Sequence, residues 1–269
     1  MKSLVLTLKH EPNQRLDLSP LVPHSLSGKS AKDIAVIELQ TTREKLTAGD
    51  IFKMRTGGVE SIRFEGGSSR LDNIGLQMKA GEIIVEGDCG KSLGRGMSGG
   101  NIVAYRDCGP FAGSAMSGGR LEIAGDAGNF LGAPLEGEME GMTGGLLIVR
   151  GNAGERAGDR LRRGTMVIEG SAGDFPGSRM LAGTLIVLGG CGRLPGYLMR
   201  RGTIVLAESP ELATTFVNCG EHELAFAGVF SNLLRPESRA AARLFGRPLM
   251  RFAGDMAALG KGEIFFPGW

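Results

Sequence analysis

Few residues in this sequence have the type and spacing to do chemistry. Gly96-Met97-Ser98-Gly99-Gly100 fits G-x-S-x-G, the pattern that presents a serine nucleophile on a tight elbow. The overlapping Gly94-Arg95-Gly96-Met97-Ser98-Gly99 fits the G-x-G-x-x-G of a dinucleotide-binding turn. Both chemistries require a strand before the turn and a helix after it. No helical periodicity follows either match, and 45 glycines make such matches easy to find by chance. Gly28-Lys29-Ser30 and Gly90-Lys91-Ser92 end like phosphate loops, but Pro23 and Val85 stand where the first glycine must be. His10, His24 and His222 show no metal-ligand spacing, and no Ser/His/Asp or Cys/His set can be assembled. Neither a catalytic residue nor a metal or cofactor ligand is therefore expected on this chain.

Two recurring sets have bland readings. Cys89, Cys108 and Cys191 share a repeat position with Ala127, Ala153 and Ala172, so they read as small buried residues. Cys219 lies outside that pattern. Asp88, Asp107, Asp126, Asn152 and Ser171 share another position and read as turn residues that bond their own backbone. A calcium ladder would need carboxylates throughout, yet the position drifts to Ser171 and Gly190. One charged set remains: Arg160, Arg162, Arg163, Arg179, Arg200 and Arg201 fall at the corner before successive strands and make a basic stripe. It serves either as a solvated edge or as a seat for an acidic partner or polyanion. Glu136, Glu138 and Glu140, in an insertion, suggest an acidic edge to match.

The elements that carry these residues come from a repeat. Segments starting at Met78, Met97, Met116, Met142, Leu161, Met180 and Met199 align, with steps of 19, 19, 26, 19, 19 and 19 residues. The 26 is one period plus seven inserted residues near Ala133–Glu140. The pattern is M-x-x-G-x-Φ-x-Φ-x-G-D/N/S-A/C-G-x-x-x-G, with Φ aliphatic. Its glycine columns (Gly81, Gly90 and Gly94 in the first copy) read as corners that need φ > 0. Between corners runs a short alternating strand, Ile83/Val85 in the first copy and Ile204/Leu206 in the last. A unit this short cannot bury its own apolar face, so the units must stack as rungs, with a methionine ladder inside. The outward column reads Ile84, Val103, Glu122, Ile148, Val167, Ile186 and Val205. It is apolar where a solvated face should be polar, and so must be covered by the chain's flanks or by a partner. Its apolar members are the candidate interface.

The expected fold is all-β: a parallel β-helix, or solenoid, of about seven 19-residue coils. A left-handed hexapeptide helix is excluded because 19 is not a multiple of six, and calcium-binding nonapeptides fail likewise. Three parts are expected: residues 1–77, a β-rich cap with strands at Leu4–Leu8 and Ile34–Leu39; residues 78–207, the repeats; and residues 208–269, a second cap or arm with a helix over Ser238–Phe245 and a final strand at Ile264–Phe266. Thirty-one basic and 29 acidic residues, a net charge of +2, give no pull toward nucleic acid or membrane. Without export signal or cysteine framework the chain reads as soluble and cytoplasmic.

The repeat resembles that of the glutamate synthase large subunit's C-terminal domain and that of the C subunit of formylmethanofuran dehydrogenases. The second resemblance extends to the flanks, through Leu46-Thr47-Ala48-Gly49-Asp50-Ile51-Phe52, Arg251-Phe252-Ala253-Gly254-Asp255 and Gly260-Lys261-Gly262-Glu263-Ile264. It implies a right-handed helix and, in the bacterial branch, a non-catalytic subunit of the formyltransferase/hydrolase complex of methylotrophs. That complex passes a formyl group from formyl-tetrahydromethanopterin to a methanofuran-type carrier and releases formate, a step of formaldehyde oxidation in one-carbon metabolism. Zinc and the carrier are then expected on partners, a zinc amidohydrolase-like subunit and a formyltransferase subunit. The arginine stripe would hold an oligoglutamate tail of the carrier. A molybdenum or tungsten formylmethanofuran dehydrogenase, and a stand-alone solenoid enzyme, are the alternatives.

Overall fold

The computed structural model describes residues 3–41 and 43–268. Its main feature is a sheet of 13 strands. Ten of them run parallel, each paired to the next: Ser3–Leu8, Gly58–Glu65, Glu82–Val85, Asn101–Ala104, Arg120–Ile123, Leu146–Val149, Thr165–Ile168, Thr184–Val187, Arg201–Leu206 and Lys261–Phe266. Antiparallel strands close both edges: Phe52–Arg55 at one, Leu249–Gly254 and then Val217–His222 at the other. The sheet is thus mixed, mostly parallel and open, and the strand edges of the repeat stack are not left bare.

The strands stack in the register that the repeat dictates. Ile83 pairs with Ile102, Ile102 with Leu121, Leu121 with Leu147, and the column continues through Met166 and Leu185 to Ile204, fully buried throughout. A second ladder runs through the small-residue column, with parallel bridges linking Cys89, Cys108, Ala127, Ala153, Ala172 and Cys191 in turn. At the corner before the strands, Ser98, Ser117, Thr143, Arg162, Leu181 and Arg200 each donate a backbone N–H to the residue at the methionine position one repeat earlier. Met78, Met97, Met116, Met142, Met180 and Met199 are fully buried, with Leu161 among them.

Glycine is required for two distinct reasons. At Gly119 φ is +82°, and an added Cβ would stand 2.7 Å from the Met97 Cε and 2.8 Å from the Gly100 carbonyl oxygen. The first glycine of one repeat thus makes room for the methionine of the repeat before it. The turn column is different from expectation. Gly109 has no positive φ; it is glycine because a Cβ would lie 2.9 Å from the Gly90 backbone. The left-handed position beside it is held instead by Phe111, Phe130, Arg156, Phe175 and Leu194, at φ between +53° and +62°. Stacking offsets part of this strain: the Phe111 and Phe130 rings are stacked with centroids 5.0 Å apart and planes nearly parallel, and the Arg156 guanidinium lies 5.1 Å over Phe175.

The flanks differ in detail from expectation. Ile34 and Ala35 do not begin a strand; they end a helix, Ala31–Ala35, because Ser30 and Asp33 form a capping box. Only Glu38–Thr41 is extended, in a small four-stranded sheet with Leu46–Thr47, Leu16–Asp17 and Leu71–Asp72. The tail forms two helices, Ala227–Leu234, which periodicity did not reveal, and Arg239–Leu244, capped by Ser238. Lys261–Phe266 then rejoins the parallel stack against Arg201–Leu206.

Candidate interaction surfaces

The outward column is sealed over most of its length by the chain itself. Ile148, Val167, Ile186 and Val205 have no accessible surface. Val167, Ile186 and Val205, with Phe265 next in register, pack in one cluster with Leu234, Ala241, Ala242, Leu244 and Phe245 of the tail helices. Phe226, Phe230 and Phe245 form an aromatic set at its rim, with centroids 5.5 to 6.4 Å apart. Of the two coverings open to this column, the chain's own flank takes Val167, Ile186 and Val205, and a charge placed at Ile148 or Ile186 would enter the protein's interior rather than a free face. Ile84 and Val103 stay half-exposed, bounded in register by Arg63 and Glu122.

Glu122, the polar member of the column, marks where the tail is fastened. Its carboxylate accepts from Arg120 at 2.5 Å and from Arg150 at 2.7 Å. Arg120 also donates to Glu237 at 2.9 Å, Arg150 donates to the Glu237 carbonyl and to Glu169 at 2.8 Å, and the Ser238 hydroxyl donates to Glu169 at 2.6 Å. Burial alone would raise the Glu122 pKa, but the two arginines outweigh it and hold the carboxyl below its ordinary range.

The arginine stripe divides in two. Arg179 grips the buried Asp159 with two hydrogen bonds, 2.9 and 2.6 Å, and Ser178 donates to the same carboxylate. Arg160 donates to the Glu138 carbonyl at 2.7 Å, and Arg162 pairs with Glu140. Glu138 also takes Arg95 at 2.6 Å. Of the insertion's acids, Glu140 neutralises one stripe arginine and Glu138 is taken by Arg95 outside the stripe, so the three do not form a separate edge; Glu136 alone among them is exposed. Arg163, Arg200 and Arg201 are exposed with no carboxylate partner among the described residues, and Lys261, the register partner of Arg201, extends them by one rung.

The other sequence candidates find structural explanations. Ser98 sits in a turn that leads into the strand Asn101–Ala104, not a helix, so it has no nucleophile elbow. The Asp107, Asp126 and Asn152 side chains accept from the backbone N–H of Asp126, Asn152 and Ser171, one repeat onward, and so bond the next rung rather than their own turn. Cys89 and Cys108 are buried; a hydrogen bond to Cys89 and burial keep the Cys108 thiol well above its ordinary pKa. Burial, then Glu208, pushes Cys191 up to about 11. Cys219 is exposed. His10 and His222 are exposed, His24 lies in the short helix Pro23–Leu26, and no group of three His, Cys, Asp or Glu among the described residues could hold a metal. Among the described residues no helix is long and apolar enough to cross a membrane.

Sequence reading missed a groove of about 680 Å³ on the tail, lined by Ser231, Asn232, Arg235, Arg239 and Arg243. Its signal was present: three arginines at intervals of four.

Comparison with known proteins matches this architecture. A family model described as the GXGXG motif covers residues 61–225. The C subunit of the formyltransferase/hydrolase complex Fhc of Methylorubrum extorquens is 42% identical over 88 residues, 33% of each chain. The C subunit of the tungsten-containing formylmethanofuran dehydrogenase 2 of Methanothermobacter wolfeii is 34% identical over 101 residues, 36% of this chain and 37% of that one. These two alignments span about a third of the curated relatives' length. The structural match is wider: a chain of the formyltransferase/hydrolase complex (FhcABCD) from M. extorquens, in complex with methylofuran, superposes with a TM-score of 0.95 at 41% identity, over 98% of this chain and all of that one. With the family model matched over more than half of its length and a solved relative matched from end to end, this chain belongs to the GXGXG-motif family, in the branch that holds the C subunits of the formyltransferase/hydrolase and formylmethanofuran dehydrogenase complexes.

Proposed function

We propose that this chain is the non-catalytic structural subunit of a formyltransferase/hydrolase complex that takes formyl-tetrahydromethanopterin, by way of a formylmethanofuran-type carrier, to formate. The end-to-end match to a chain of a solved complex of that kind carries the reading. Zinc and the carrier belong on partner subunits, an amidohydrolase-like one and a formyltransferase one. The parallel rungs, the second ladder and the 19-residue register support a right-handed β-helix over residues 78–207, capped by residues 1–77 and strapped by residues 208–269. Arg163, Arg200 and Arg201, the stripe members without a partner, are the seat offered to the acidic tail of the carrier. Reversing Arg163 and Arg201 to glutamate then weakens carrier retention, and unchanged retention at low salt removes this part of the reading.

A molybdenum or tungsten dehydrogenase is the second reading, supported by the weaker match to the M. wolfeii protein. Metal analysis of the complex purified through this chain separates the two. Zinc, with formate release and no molybdenum or tungsten, supports the hydrolase reading. Molybdenum or tungsten at one equivalent overturns it.

A further inference from the structure

The tail helices seal the strands with one side and leave a cationic groove on the other. Arg235 caps the C-terminal end of the first helix, Arg239 opens the second, and Arg243 lies in its last turn. All three line the groove with Ser231 and Asn232, all three are exposed, and none has a carboxylate partner among the described residues. Every ion pair among the described residues is made by an arginine, as at Arg15, Arg120, Arg150 and Arg251, so these three, like Arg163, Arg200 and Arg201, are left with their charge unanswered. Three like charges on one groove repel one another until anions neutralise them, and the planar guanidinium fork meets both oxygens of a carboxylate. The first helix also exposes Val229 and Leu233, 71% and 59% accessible and four residues apart. Exposed apolar side chains on a helix that also lines a basic groove are what a polypeptide partner wrapping that helix would use as anchors, and a free anion would not need them.

We propose that this groove docks a carboxylate-rich segment of a sister polypeptide, with Arg235, Arg239 and Arg243 taking its acids and Val229 and Leu233 its apolar side chains. The proposal rests on the reading of this chain as part of a larger complex. It also ties assembly to the fold, since the helices that bear the groove are those that cover Val167, Ile186 and Val205.

The test uses the complex isolated through tagged chain from its own cells. Arg239→Glu with Arg243→Glu should lower recovery of one sister subunit by roughly tenfold at physiological salt, while Arg239→Lys with Arg243→Lys retains most of it. A photo-crosslinking residue at Asn232, with the arginines intact, should capture a segment rich in Asp and Glu. Undiminished recovery with the reversed pair, or capture of a segment without acids, overturns the proposal. The crosslink decides the matter if the reversed pair fails to fold. Should the unaltered chain recover no sister polypeptide, the assembly reading falls first and takes the groove with it.

Discussion

Gly119→Ala tests whether the rungs carry the stability of this fold. Two costs are separable at this position. The backbone sits at φ +82°, a conformation that L side chains rarely adopt, which costs about 1–2 kcal/mol. The added methyl would also meet the Gly100 carbonyl oxygen at 2.8 Å and the Met97 Cε at 2.7 Å. That carbonyl is fixed because it accepts from Arg120 N–H at 2.9 Å, so the two rungs must part by several tenths of an ångström. Overpacking of this kind adds about 1–3 kcal/mol, for a sum of about 2–5 kcal/mol. Gly137→Ala is the matched control: φ is +85° in the insertion, with nothing within 4 Å of the new methyl. It should cost only the backbone share, about 1–2 kcal/mol. Urea denaturation of the purified variants reads the difference. Equal losses from Gly119→Ala and Gly137→Ala would refute the claim that contact between successive rungs is what demands glycine there.

Three further outcomes follow from the same geometry. Phe245→Ala should cost about 3–5 kcal/mol of tail docking and open the segment after Leu206 to proteolysis, since Phe245 sits against Val167, Ile186 and Val205; unchanged cleavage would show that the aromatic set does not hold the arm. Glu122 has a depressed folded pKa, so its stabilising effect is full above its unfolded value and is lost as pH falls through the folded one. Glu122→Gln should flatten that acid limb in a stability titration, and an unaltered limb would assign it elsewhere. With Cys89 and Cys108 buried and the Cys191 thiol near 11, alkylation of the folded chain at pH 8 should label Cys219 alone. Labelling at Cys108 before unfolding would contradict the stacked small-residue column.

The repeat was legible because its signals are local and periodic. The strand pairs from Ile83/Val85 to Ile204/Leu206, the buried methionines and the φ > 0 glycines needed nothing but the 19-residue alignment. What depends on the neighbouring rung was not. Gly109 and Asp107 look like ordinary turn residues in sequence, yet one accommodates the backbone one rung before it and the other bonds the N–H one rung after it. The covering of Val167 and Ile186 depended on where a tail without the repeat comes to rest. Glu122 was the trace of it, a charge in an apolar column because that is where Arg120, Arg150 and Glu237 lash the tail down. The basic stripe lost half its members to the insertion and to Asp159, contacts that link positions about 20 apart on different rungs.

Native mass spectrometry of tagged chain drawn from its own cells bears most directly on the assignment. The account predicts a stable particle of several different subunits, among them an amidohydrolase-like and a formyltransferase-like chain. A protein that emerges as a single species at 28.3 kDa, with no companions at any salt concentration, would contradict it.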